Sequence, residues 1–428
     1  MNTFDVAIVG LGPTGATLAN FCGALGLRTV VFERSTTAYP QPRACHLDAE
    51  IARVFQQLGF ESQLHDLLTV SAGMEYVAAD GTRLFTFEGF EREPLLGWHE
   101  DYVFIQPELD TMLRDGLARF PCVDVRLGIE ADPVADLLEQ ARFVVACDGA
   151  SSAIRTQLGV DMRDLGFDER WFVVDVLVND DAHPLPPIIQ QVCDRQRLAT
   201  FVPSHGRHRR WEFRLADDEH VPDEWRLLEP WGVRPNDAEL LRAVVYRFHA
   251  LEAVRWRDGR VFLAGDAAHQ MPPFMGQGMC SGIRDAANLA WKLADVVRGS
   301  AGDELLDTYE TERRPHVEAV TALSIEAGQL LGRLAADPTA LPTAERPDPQ
   351  RWSRLPGLDL GGDFPIGHLV PQPGRLDDRL PVHDWAWVAA DGSFVPPDDR
   401  PVVVEPQATY GRRAVLVRPD RYIAAVMA

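Results

Sequence analysis

Lysine is almost missing: Lys292 is the sole one in 428 residues, and every other Lys/Arg position is arginine. A GC-rich coding bias accounts for that without any ligand. Basic charge is scarce altogether, with 42 Lys and Arg against 64 Asp and Glu and a formal net charge of −22. Such a field repels phosphate backbones and anionic lipid, so nucleic acid and membrane surfaces are excluded as expected partners. The six cysteines (Cys22, Cys45, Cys122, Cys147, Cys193 and Cys280) form no CxxC pair. That argues against a zinc ribbon or other metal site, against a disulfide scaffold, and for a reducing cytoplasm. No apolar run approaches the roughly 18 residues of a membrane span. MNTFDVAIVG enters a strand at once and leaves no room for a signal peptide, so a cytoplasmic protein is expected.

The chain is too long for one ordinary domain. Residues 4–34 read as strand, glycine turn, helix, strand: FDVAIV, GLGPTG, ATLANFCGALG and RTVVFER. Helical spacing recurs over 47–60, and PELDTMLRDGLARF opens with a helix-starting proline. VDVRLG and FVVACDGA follow as strands. From Trp171 the texture changes to β-rich segments with no helices between them, an antiparallel meander. The α/β pattern returns at Gly259 with GRVFLAGD, and helices are expected over about 281–298 and 304–333. Residues 336–356 are Pro-rich and polar, a linker by composition. The remainder reads as a small strand-bearing module.

Three motifs carry chemistry. GLGPTG sets Gly10, Gly12 and Gly15 on the GxGxxG spacing: a tight turn, a bare backbone for a pyrophosphate, and close helix–strand packing. Glu33 ends the next strand, where a carboxylate accepts ribose hydroxyls and repels a 2′-phosphate, so this site takes FAD or NAD and not NADP. ACDGASSAIR (146–155) places Asp148-Gly149 at a strand end, and an ordinary turn before a serine-capped helix would explain it equally well. In LAGDAAHQMPPFMGQG, Asp266 ends a strand, Pro272 and Pro273 stiffen a turn, and Gly276 and Gly278 bare the start of a helix. A polyol hydroxyl suits the first feature and an anionic ring the last, while a strand, a stiff turn and a helix with no ligand is the plainer alternative.

These three fingerprints in this order resemble the single-component FAD-dependent aromatic monooxygenases, most of all the 3-(3-hydroxyphenyl)propionate hydroxylase and phenol hydroxylase group. YPQPRACHLDAE, FIQPELD, LLDTYETERRPH and VLVRPDRYIAA extend the likeness along nearly the whole chain. The resemblance implies an α/β + β fold: a Rossmann-like FAD-binding domain (1–70, 101–160, 250–335), an inserted antiparallel β-sheet substrate domain (71–100, 161–249) and, after the linker, a shortened thioredoxin-like module (357–428). It implies that Gly10, Gly12, Gly15, Glu33 and Arg34 hold the ADP half of FAD. Arg43 and Gln106 would contact the phosphate and ribityl region, and Asp148-Gly149 the pyrophosphate. Gly265-Asp266 would take the ribityl chain, with Pro273, Gly276, Gln277, Gly278 and Met279 against the isoalloxazine. The implied reaction is hydroxylation of a small aromatic, phenolic substrate by O2 and NADH or NADPH through a flavin hydroperoxide, in a possible homodimer.

The substrate base is left open between His46 and His269, with Tyr102 and His99 no better supported. Arg209, Arg210 and Arg214 are candidates to pair a carboxylate tail. Two regions look short for the family, 129–142 and the stretch before VRPDRY. A tailoring monooxygenase of a polyketide or antibiotic scaffold, by hydroxylation or epoxidation, and a non-catalytic FAD-binding protein remain the alternatives. A halogenase is weakened because Trp385 and Trp387 are followed by Ala389 where that motif needs Ile.

Overall fold

The computed structural model describes residues 3–87, 95–180, 184–339, 358, 360–363 and 365–427. The expected linker therefore lies outside the described residues from 340 onward.

FDVAIV becomes the strand Phe4–Val9, with Val6, Ala7 and Ile8 fully buried. A continuous apolar run suits a strand covered on both faces. It pairs in parallel with Thr29–Glu33 on one side and Ala141–Ala146 on the other. Val123–Leu127 and Val261–Leu263 extend the sheet in parallel, and Arg257–Asp258 closes one edge in the antiparallel sense. The helices Pro13–Ala24 and Gln277–Arg298 pack together over this sheet. Their approach is so close that a Cβ on Gly282 would lie 2.2 Å from Thr14 Oγ1. The short region 129–142 holds a helix, Val134–Gln140, in place of a hairpin.

The second sheet has eight strands in the order His269–Gln270, Ala238–Ala253, Met162–Val178, His208–Leu215, Ala199–Val202, Ile189–Cys193, Met74–Ala78 and Arg83–Phe87. Every pairing is antiparallel except that of Ile189–Cys193 with Met74–Ala78. Side chains alternate across the sheet. Trp211, Phe213 and Leu215 join Phe172 and Val174 in an outer core, while His208, Arg210 and Glu212 take the inner face. The inner face meets the Pro-Pro turn and the Glu304–Ala336 helix, where Trp171 and Tyr76 cluster with Phe274, Leu330 and Leu334.

The meander is not helix-free. Glu224–Leu228 is a helix, capped by Asp223, whose carboxylate accepts from Arg226 N at 3.0 Å. Five residues are fewer than two turns, so no helical period can be read from them. A mixed four-stranded sheet follows the linker, in the order Val402–Val404, Ala386–Ala389, Ala414–Val417, Ile423–Met427. Buried polar pairs fasten it to the rest: Arg53 with Asp377 at 2.7 Å, Tyr422 OH with Glu50 at 2.7 Å, and Arg418 with Glu312 at 2.8 Å. The lone lysine belongs to that junction, since Lys292 donates to Glu312 and Asn288 at 2.8 Å.

Candidate functional site

The three glycines of the first turn have different surroundings. Gly10 has φ +96° and a Cβ there would sit 2.4 Å from the Cys147 carbonyl oxygen; one on Gly15 would sit 2.0 Å from the Gly10 oxygen. Both close approaches are to backbone and cannot be relieved by a side-chain rotation. At Gly12 nothing lies within 4 Å of the Cβ position. Gly12 also starts the Pro13–Ala24 helix with no side-chain cap and no acidic residue in its first turn. The helix start is therefore bare and faces open space, the surroundings an anion needs.

Glu33 accepts from Leu11 N at 2.7 Å and Ser35 N at 2.8 Å. These bonds fix the carboxylate beside the glycine turn and leave lone pairs over, since each oxygen has two. Arg114 donates to the Leu11 carbonyl at 2.9 Å from the other side, and Arg34 is exposed.

In the second motif Ser152 caps the helix Ala153–Gln157 by accepting from Arg155 N at 3.0 Å, so the plainer reading of that serine holds. Asp148 accepts from Ile154 N at 3.2 Å through one oxygen, while its other oxygen is buried with no hydrogen-bond partner among the described residues. Arg155, which sequence reasoning left without a task, donates to Ala150 O at 2.7 Å and Ala267 O at 3.0 Å. It ties the Asp148-Gly149 turn to the Gly265-Asp266 turn.

Asp266 is exposed and no described group hydrogen-bonds it. Yet crowding by protein pushes its carboxyl above the usual carboxylate range, with His269 and Arg43 pulling the other way. Exposure and desolvation coexist where a group stands on the floor of a narrow crevice. Arg43 is exposed in the same place. Gln106 is not at the surface of this crevice, being only 4% exposed. Its side chain instead accepts from Arg43 N at 3.1 Å and Ala44 N at 2.7 Å, which positions the segment that lines the site.

Asp110 lies behind Gln106, and burial pushes its carboxyl up to about 6 against Arg114, Arg43 and the Gln106 hydrogen bond. An acid raised in the fold costs stability above its unfolded pKa, most of all above its folded one. Asp110→Asn is therefore expected to stabilise the protein by about 2 kcal/mol at pH 8 and by less toward pH 5. Urea unfolding at the two pH values checks this; an equal gain at both would refute the assignment.

Past the Pro-Pro elbow, Gly276 has φ +63° and starts the 22-residue helix Gln277–Arg298, again with no side-chain cap and no acidic residue in the first turn. Pro273, Gly278 and Met279 are half-buried, and a Cβ on Gly278 would meet only Met271 at 3.8 Å. The Gln277 side chain points elsewhere, donating to Asp48 at 3.0 Å and accepting from Arg284 at 2.9 Å, so only its backbone is offered. His46 touches this turn: its Nδ1 is 3.3 Å from Gly276 O and its Nε2 is paired with Asp101. Burial alone would lower the ring, but Asp101, with Asp48 and the Gly276 carbonyl behind it, holds it up to about 9.

His269 is 2% exposed and 2.6 Å from Asp285. Asp285 also accepts from Gly265 N at 3.0 Å and Arg313 Nε at 2.9 Å. A ring sealed in this way has no access to a substrate, which corrects the reading of His269 as a candidate base; it braces the Gly265-Asp266 turn. Of the roof arginines, Arg210 is buried against Asp175 at 2.8 Å, Arg209 donates to Gly206 O at 2.6 Å, and Arg214 is exposed and paired with Glu169 at 2.9 Å. None of them waits for a carboxylate tail. Tyr102 is 5% exposed and accepts from His99 N at 2.8 Å.

A cleft of about 630 Å³ lies elsewhere: Trp291, Arg298, His383, Trp385 and Arg400 line it beside the C-terminal sheet. That is toward the opposite end of the Gln277–Arg298 helix from Gly276, with Trp291 roughly 22 Å along it at 1.5 Å per residue. Among the described residues no group of three or more His, Cys, Asp or Glu is placed to hold a metal, and no helix is long and apolar enough to cross a membrane.

Two bare helix starts and an exposed yet desolvated carboxylate, beside a second sheet, suit a protein that binds a dinucleotide cofactor. Residues 3–324 match the FAD binding domain family, and the chain belongs to it. It is 38% identical to a protein described as a probable NADH-specific resorcinol 4-hydroxylase of Rhodococcus jostii (strain RHA1), over 91% of this chain and 80% of that one. It is likewise 38% identical to a 3-(3-hydroxy-phenyl)propionate/3-hydroxycinnamic acid hydroxylase of Mycobacterium sp. (strain JLS), over 88% of this chain and 72% of that one. Among solved structures, aklavinone-11 hydroxylase with FAD and aklavinone superposes with a TM-score of 0.80, covering 100% of this chain and 96% of that one. At 22% identity that likeness shows the fold alone. The chain is an FAD-dependent monooxygenase of the aromatic hydroxylase type.

Proposed function

We propose that the protein hydroxylates a small phenol of the resorcinol or 3-hydroxyphenyl carboxylic acid class, with NADH and O2 as co-substrates. The observation that carries this reading is the open, desolvated Asp266 between two uncapped helix starts, with the inner face of the roof sheet packed on the adjoining Pro-Pro turn. The donor set suits FAD. Gly10, Gly12 and Gly15 would admit its pyrophosphate at the first helix start, and Glu33 its adenosine ribose. Asp148-Gly149 and Arg43 would line the middle of the molecule, and Asp266 would accept a ribityl hydroxyl. The backbone from Gly276 to Met279 would lie against the ring, with Pro273 at its edge. Gln106 acts through Arg43 and Ala44.

Bound FAD supplies electron transfer from NADH and activation of O2 for transfer to an aromatic ring. The chain's own residues hold and enclose. Protonated His46, fixed by Asp101, adds positive charge beside the Gly276 turn, where the helix start would also favour negative charge on a bound flavin. Phe274 wedges between Trp171 at 5.5 Å and Phe167 at 5.7 Å, sealing the turn against the roof so that water is kept from the ring. Domain limits at 1–70, 101–160 and 250–335 for FAD, and 71–100 and 161–249 for substrate, belong to the same proposal. So does a cytoplasmic location, supported by six free cysteines. A homodimer is supported by the exposed Val402 and Val404 on the edge of the C-terminal sheet.

A panel of resorcinol, hydroxyphenylpropionate and unrelated phenols tests the reading. At least one is expected to raise NADH oxidation and to yield a product heavier by one oxygen atom. NADH oxidation unmoved by every phenol, with no oxygenated product, would overturn it.

A further inference from the structure

The inner face of the roof sheet carries a carboxylate, Glu212, that accepts no hydrogen bond from a described residue. Register places it. The row Arg210–Asp175–Arg242 runs across three strands, the next row is Glu212–Val173–Val244, and the one after is Arg214–Trp171–Tyr246. The first row is fastened to the segment leading to His46, since Arg210 donates to Pro42 O at 2.6 Å and also to Arg43 O. The third row is fastened to the Pro-Pro turn through the Trp171–Phe274 contact. Glu212 therefore faces the space between the segment that carries Arg43 and His46 and the turn that leads to Gly276.

Its neighbours are spoken for and it is not. Asp175 is satisfied by His208 at 2.8 Å, Arg210 at 2.8 Å and Arg242 at 2.9 Å. Thr200, across from Glu212 on the next strand, donates to Gln191 at 2.7 Å. Glu212 accepts no hydrogen bond from a described residue, and its nearest cation, Arg210 Nη1, is 3.9 Å away. Its side chain is 13% exposed, so the carboxylate is not sealed from solvent. Val173 is its immediate neighbour on this face, and two strands away lie the half-buried Val244, Tyr246 and Phe248, with Tyr246 and Phe248 stacked at 5.8 Å between centroids. An acceptor with no hydrogen bond, on a face that also carries apolar and aromatic side chains, is what a phenol requires.

Resting on the phenol hydroxylase reading above, we propose that Glu212 is the group that receives the proton of the substrate's phenolic hydroxyl. The phenol O–H bond breaks, its electron pair stays on the oxygen and feeds the ring, and the carboxylate becomes a carboxylic acid. The acid then loses its proton to water through its exposed edge. Burial raises the Glu212 carboxyl above the usual range, which brings it nearer a phenol's; Arg210 and Arg242 pull it down and Asp175 pushes it up. Of the other titratable groups on the facing segment, Cys45 is held in its neutral form by burial and His46 is held protonated by Asp101.

Glu212→Gln in the FAD-loaded enzyme tests this. With an ordinary phenol, kcat for product formation is expected to fall roughly 100-fold, the size typical of positioned proton transfer. The loss should shrink as fluorine substitution makes the phenol more acidic, and the acid limb of the kcat–pH profile should disappear. Flavin content should match wild type. A uniform loss across phenols of different acidity, or none, would overturn the proposal, because a structural role is blind to substrate pKa. If the Gln variant does not fold, Glu212→Asp replaces it, keeping the acid limb while lowering kcat; loss of the limb there would also overturn the proposal. A wild type that hydroxylates no phenol would instead sink the reading on which it rests.

Discussion

Gly12→Val is expected to yield a folded protein that has lost its flavin. A valine Cβ at this position enters space with no protein atom within 4 Å, so the apo fold should keep its stability. The same space is where a pyrophosphate would approach the uncapped start of the Pro13–Ala24 helix. Displacing an anion from one or two backbone N–H groups removes charge-assisted hydrogen bonds of about 1.5–3 kcal/mol each, or at least roughly tenfold in affinity. Gly10→Ala and Gly15→Ala make the contrast. Their Cβ atoms would strike backbone oxygens at 2.4 and 2.0 Å, so the turn itself cannot form as it stands. Flavin absorbance after gel filtration, read beside urea unfolding, separates the two cases. A Gly12→Val protein with full flavin, or one that fails to fold, would contradict the assignment of this turn.

Asp285→Ala is expected to cost the fold several kcal/mol, about 3–5, by breaking a buried charge cluster. Burial would push this carboxyl up, yet His269 and Arg313 hold it down, so it stays ionised and fully buried. Removing it strands the buried Arg313 guanidinium, the His269 ring and the Gly265 N–H together. Breaking a buried pair from one side costs about 3–5 kcal/mol. Because Gly265 begins the turn that presents Asp266, flavin retention should fall with stability. Asp285→Asn keeps an acceptor and should lose less. A urea midpoint for Asp285→Ala close to that of wild type would show that the cluster does not brace the turn.

The parts of the fold that were legible share a physical reason: each lies where the backbone is constrained by what it must contact. Gly10 and Gly15 could be read because no side chain fits against the Cys147 and Gly10 oxygens, and FDVAIV because a doubly covered strand has to be apolar throughout. Asp266 could be read because it closely follows the buried strand Val261–Leu263, in a short turn before an elbow. Residues that act through others left no such mark. Gln106 had been taken for a flavin contact, but it holds the backbone of Arg43 and Ala44; Arg155 had no task until Ala150 and Ala267 came together around it. His269 stands beside Asp266 in sequence and looked like a base, while in space it is locked to Asp285, sixteen residues away. Glu212 is the hardest case. WEF shows an alternating strand, but only the pairing of three strands tells which face meets the turn and which the outer core. The helix Glu224–Leu228 was invisible because five residues carry no period.

Oxygen labelling tests the central claim most directly. The enzyme, NADH and its best phenol are incubated under 18O2, and the mass of the product is measured. If this crevice holds FAD and directs O2 onto an aromatic ring, each turnover adds one 18O atom to the phenol. A product carrying 16O from water, or NADH consumed with all the oxygen released as peroxide, would contradict the account.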